Sequence, residues 1–161
     1  MKSIAGILVF FLSSFGFAQA QDKGKSDSEE LMNSLIPFAE KMLSEHGEFF
    51  PYGGTMKPDG KIVSVAGYNG SEHPPSQEII DLLHKAFRES AKAKECKATG
   101  LVYDVRVNLP ESNEKSDALA IELDHASGYS VLVYVPYKIE NSKVIFGKMF
   151  SNAGHNAVFA K

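Results

Sequence analysis

Residues 100–135 read GLVYDVRVNLPESNEKSDALAIELDHASGYSVLVYV. Leu101, Tyr103, Val105, Val107 and Leu109 alternate with Asp104, Arg106 and Asn108. After the turn-forming run 110–115 the alternation resumes, with Leu119, Ile121 and Leu123 set against Ala120, Glu122 and Asp124. Residues 125–128 turn the chain again, and Tyr129, Val131, Val133 and Val135 alternate with Ser130, Leu132 and Tyr134. A period of two in successive segments, each bounded by turn residues, marks antiparallel strands joined as hairpins. Beyond 141–143, residues 144–150 supply a fourth strand. The pattern predicts a meander with one apolar and one wet face.

Working upstream, Ile79, Leu82, Leu83, Ala86 and Phe87 recur at helical spacing, preceded by Pro74-Pro75. Proline is tolerated in the first turn of a helix, and Asp81 and Lys85 are placed to pair across one turn. Residues 49–68 predict a hairpin around Lys57-Pro-Asp-Gly60, where proline presets the second turn position and glycine supplies the left-handed exit. Pro51 marks its first strand as an edge or an irregular start, and Gly53-Gly54 as a bulge or a close backbone contact. Leu31, Leu35, Phe38 and Met42, with Met32, Ile36, Ala39 and Leu43 beside them, form a broad helical face. Its expected start is a capping box at Ser26–Glu29 and its expected end is Gly47. Pro37 predicts a kink or a second segment capped by Ser34. The order is α-β-β-α-β-β-β-β. This is an α+β class, expected as two layers: an antiparallel sheet of five to six strands with both main helices on one face.

The first residues read differently. Lys2, the uncharged run 4–12 and Ala18-Gln19-Ala20 match the three regions of a secretory leader. The run is too short to span a bilayer, and no cysteine near the cut permits lipoprotein anchoring. The expected organisation is a leader over 1–20, a flexible lead-in over 21–28, one domain over 29–150 and a tail over 151–161. The mature chain is then soluble and periplasmic or secreted. Losing Lys2 takes the net charge from −3 to −4. That balance gives no electrostatic footprint for nucleic acid or an anionic membrane. The single cysteine, Cys96, permits no internal disulfide and is expected as a buried thiol.

The segments GEFFPYGG (47–54), EHPPSQEIIDLL (72–83), GLVYDVRVNLP (100–110) and EKSDALAIELDH (114–125) resemble a group of small exported bacterial proteins with no assigned activity. The element order resembles roadblock and profilin-like domains. The first resemblance implies a compact bacterial domain and brings no catalytic residues. The second implies an interaction module.

Motifs for chemistry are sparse. None of the five histidines has a short zinc spacing, and no nucleophile elbow, P-loop or dinucleotide fingerprint is present. No metal or cofactor is expected. Two places suggest binding. One is an aromatic groove of Phe50, Tyr52 and Tyr68. The other is the wet sheet face, where Asp104, Arg106 and Tyr134 are expected to converge with Asn108, Glu122 and Asp124. The expected function is a non-enzymatic binding or interaction module, meeting another protein or itself through a sheet edge or the groove. The alternatives are a small exported hydrolase using Asp104 or Asp124 with His125 or His73, and an inhibitor of an exported toxin.

Overall fold

The computed structural model describes residues 15–160. Residues 1–14, most of the expected leader, lie outside the described residues. The elements are α1 (Phe15–His46), β1 (Tyr52–Met56), β2 (Ile62–Ala66), α2 (Ser76–Lys92), β3 (Ala98–Asn108), β4 (Lys115–His125), β5 (Ser130–Glu140), β6 (Lys143–Phe146) and β7 (Phe150–Ala153). The α+β class and the predicted order hold, with β7 added where a patternless tail was expected. All strand pairings are antiparallel, in the order β2-β1-β3-β4-β5-β6, with β7 also on β5. Among the described residues no helix is long and apolar enough to cross a membrane.

The two helices take opposite faces of the sheet, which corrects the expectation of a shared face. The reason lies in three glycines. Gly53 is beneath Phe87 of α2: a Cβ there would lie 2.8 Å from the Phe87 ring and 2.2 Å from the Gly100 carbonyl oxygen. Its neighbour Gly54 is beneath Leu35 of α1, and Gly100, paired with Gly54, would bring a Cβ to 2.7 Å from the same leucine. Adjacent strand residues point to opposite sides, so α1 and α2 sandwich β1 and β3. On one face Leu31, Leu35, Ala39 and Leu43 bury against Met56, Val102, Leu119, Ile121 and Val135. On the other Ile79, Ile80, Leu83 and Phe87 bury against Leu101. The Gly53-Gly54 pair is thus a close approach of helix to strand rather than a bulge.

α1 begins well before the expected capping box. Residues 21–28 are helical, with Gly24, Asp27 and Ser28 buried, so they form part of the packed domain and not a flexible lead-in. The helix runs through Pro37 and stops at Gly47, whose φ of +76° and amide bond to the Leu43 carbonyl (3.0 Å) complete the expected terminus. The β1–β2 turn also forms as read. Gly60 sits at φ +92° and donates to the Lys57 carbonyl at 2.9 Å.

The far edge of the sheet carries one irregularity. Tyr137 pairs with Phe146 and Tyr134 with Phe150. Two residues of β5 therefore face three residues, 147–149, which is a β-bulge. Pro136 lies opposite it. Its carbonyl accepts from Gly147 N–H at 2.7 Å, and proline has no N–H to return the bond. The bulge absorbs that missing donor and splits the predicted strand 144–150 into β6 and β7.

Candidate functional site

The six residues predicted for binding do not converge. Tyr52 is a core residue, 7% exposed, and makes edge-to-face contacts with Phe38 and Phe49. Its hydroxyl donates to the Leu35 carbonyl (2.7 Å) and accepts from Ala39 N–H (3.2 Å). Phe50 is half exposed beside the His73 ring, and Tyr68 is 73% exposed, so no three-sided aromatic groove forms. The polar set divides by face. Residues paired directly across antiparallel strands share a face. Asp104 pairs with Leu119, which packs under α1, whereas Glu122 pairs with Leu101, which packs under α2. Asp104 accepts from the Tyr137 hydroxyl at 2.9 Å on the α1 side. Arg106 lies beside Asp117 there, 4.0 Å apart and exposed. Tyr134 stands on the other side, stacked on Phe150 with ring centroids 5.0 Å apart.

Three polar clusters instead tie elements together. The first anchors the start of α1. Asp27, 5% exposed, receives Lys97 Nζ at 2.9 Å, Lys23 Nζ at 3.3 Å and His125 Nε2 at 3.2 Å. Ser127 N–H donates to His125 Nδ1 at 3.0 Å, so Nδ1 is the acceptor and the neutral ring carries its proton on Nε2, toward Asp27. The Ser127 hydroxyl lies 2.8 Å from the same Nδ1. Serine, histidine and aspartate are thus in series, but Gly24 of α1 covers the hydroxyl: a Cβ there would lie 2.2 Å from Ser127 Oγ. The arrangement closes a helix onto a turn. Burial lowers the His125 pKa against the opposing pull of Asp27. Burial alone would raise Asp27, and its lysine and histidine partners reverse that and hold it below its usual range.

The second cluster joins α2 to β4. Glu122 accepts from the Tyr103 hydroxyl at 2.7 Å and meets His84 Nε2 at 2.8 Å. The third ties down the C-terminal segment. Asp124 accepts from Ser130 Oγ (2.7 Å) and Val158 N–H (3.0 Å), and Ser130 Oγ accepts from Asn156 N–H (2.9 Å). None of the anticipated hydrolase pairs forms. Asp124 and His125 are strand neighbours and so point to opposite faces. Asp104 bonds to tyrosine, and His73 lies beside Phe50. Cys96 is buried and its thiol pKa is raised by that burial. Among the described residues no group of three or more His, Cys, Asp or Glu is arranged to hold a metal.

A concavity with room for a small-molecule ligand lies elsewhere. α2 covers the sheet over β1 and β3, and the same face is open toward β5 and β6. There the bulge, the β3–β4 loop and the end of β5 enclose about 600 Å³. Leu109, Pro136, Ile145, Met149 and Phe150 make its apolar lining, and Ser116, Lys138, Glu111 and Lys148 add polar groups. Lys148 on the bulge pairs with Glu111 on the loop, both well exposed. Of the predicted residues, Tyr134 alone adjoins this groove, backing Phe150. The sequence signals for the site were Pro136 within an alternating run and Gly147-Lys148 interrupting the last one.

The chain matches no family model, no curated protein and no solved structure.

Proposed function

We propose that this is an exported binding protein, not an enzyme, and that its ligand is a small apolar molecule held in the groove beside the bulge. The observation that carries the reading is the groove itself. Its volume of about 600 Å³ falls inside the range of roughly 300–1,000 Å³ usual for small-molecule sites, which combine apolar walls with a few polar groups. The buried Asp27, Asp124 and His125, with the half-buried Ser127 and Ser130, are engaged in joining elements, and none of them lines this groove. The leader pattern at 1–20 supports export.

A neutral naphthylamine dye, N-phenyl-1-naphthylamine, tests the reading. The chain has no tryptophan, so dye emission is read against a low background. Dye fluorescence should rise on binding. Ile145→Lys, at a position 49% exposed and thus tolerant of change, should abolish the rise while leaving circular dichroism unchanged. No enhancement, or an enhancement indifferent to Ile145→Lys, contradicts the proposal.

A further inference from the structure

A second cavity lies on the α1 face of the sheet, between α1 and the strands β5 and β7, and encloses about 220 Å³. We infer that it is a separate binding site, and that its ligand is a small neutral molecule with one aromatic ring and one hydroxyl, a simple phenol in chemical class. The deciding residue is Ser28. It lines the cavity from α1, is 1% exposed, and its hydroxyl has no hydrogen-bond partner among the described residues. A serine within a helix can bond back to a carbonyl one turn earlier, as Ser34 does to the Leu31 carbonyl at 2.7 Å. Ser28 leaves that bond unmade. Buried polar groups are nearly always paired, so an unpaired hydroxyl on a residue of the cavity wall is a place to hold a ligand's polar group.

The rest of the lining sets the ligand's other properties. Met32, Leu123, Val131 and Val133 supply apolar walls. Tyr129 and Phe150 add aromatic side chains, and Met149 joins Met32 in offering a thioether; both kinds of group pack well on an aromatic ring. Lys25 and Glu29, the charged residues of the lining, pair with each other at 3.9 Å. One cation and one anion leave no net charge to select an ion, so a neutral ligand fits. A cavity of roughly 150 Å³ holds one benzene ring, so this one takes a single substituted ring and leaves the larger naphthylamine dye to the groove. Met149 and Phe150 border both cavities, which therefore share a wall.

The test is a titration of the purified protein, labelled at the methionine methyls, with phenol and with toluene, which has the same shape but no hydroxyl. Phenol should shift the Met32 resonance saturably and leave Met56 in place. Ser28→Ala should weaken phenol about tenfold, as expected when a buried hydroxyl loses its partner, and leave toluene unchanged. The same variant should unfold in urea at an equal or higher midpoint, because it removes an unpaired buried group. Ile145→Lys, placed to block the groove, should leave the Met32 shift intact. Phenol and toluene responding alike to Ser28→Ala, whether both weaken or neither does, overturns the inference. A lowered midpoint would show that the hydroxyl is already paired, which overturns it too. Phenol binding that moves Met149 without Met32 and is lost in Ile145→Lys puts the ligand in the groove, ending this site and leaving the groove standing. No saturable shift with phenol ends this site whatever the dye does.

Discussion

The Tyr52 hydroxyl sits between the carbonyl of Leu35 and the amide of Ala39, 2.7 and 3.2 Å away, joining β1 to the backbone of α1. Leu35 and Ala39 are an i, i+4 pair, and Pro37 lies between them, in the turn where proline loosens the ladder. The amide that Pro37 lacks would have bonded the Asn33 carbonyl, and the tyrosine hydroxyl bonds the Leu35 and Ala39 backbone groups on either side of the proline. Removing the hydroxyl leaves a buried donor and acceptor without it. Tyr52→Phe should therefore destabilise the protein by about 1–3 kcal/mol, read from urea unfolding. A loss much smaller than that would show that the helical ladder closes without help.

Gly24 offers a test with an unusual sign. Within a helix, glycine to alanine normally stabilises by about 1 kcal/mol. Here the added methyl would meet Ser127 Oγ at 2.2 Å and His125 Nδ1 at 3.1 Å. Gly24→Ala should lower the unfolding midpoint, and Gly24→Ala with Ser127→Gly should recover part of the loss. A stabilised single variant would mean that α1 does not seat against the β4–β5 turn.

Acid should loosen the same anchor in two stages. His125 has a folded pKa below its unfolded value. Its contribution is complete above the unfolded pKa of about 6.5 and declines as pH falls from there through the folded value. Asp27 is depressed as well, so its contribution persists through the mildly acidic range and is lost only as pH falls through its folded value. Stability should drop between pH 7.5 and 5.5, and His125→Gln should flatten that drop. An unchanged slope in the variant would locate the dependence elsewhere.

The opposite placement of the helices predicts that neighbouring glycines act on different cores. Gly53→Ala should disturb Phe87 of α2, and Gly54→Ala should disturb Leu35 of α1. Amide exchange should then rise selectively in α2 for the first and in α1 for the second. The same helix responding to both would contradict the sandwich.

What could be read from the residues was the class and the order of elements, because β3, β4 and β5 alternate strongly and α2 has a clean apolar stripe. The face of each helix was hidden. Ala98, Thr99, Gly100, Leu101 and Val102 are buried on both sides of the sheet, and small residues in such a segment leave no alternation to interpret. Asp104 and Glu122 look equivalent by pattern, yet the register places them on opposite faces. The early start of α1 was hidden for another reason. Asp27 is polar, and its burial depends on His125, 98 residues later, and on Lys97. The groove depends on a bulge that forms because Pro136 withholds one N–H from its neighbour. A missing donor in one strand shows its effect only after pairing is known.

The most direct measurement of ligand binding in the groove uses the five methionines. Met149 lines the groove and also borders a smaller cavity against α1 that holds Met32, whereas Met56 is fully buried on the α1 face. In protein labelled at the methionine methyls, titration with the naphthylamine dye should shift the Met149 resonance saturably and leave Met32 and Met56 in place. A bound dye that moves Met32 or Met56, or leaves Met149 unmoved, would contradict the assignment of the site.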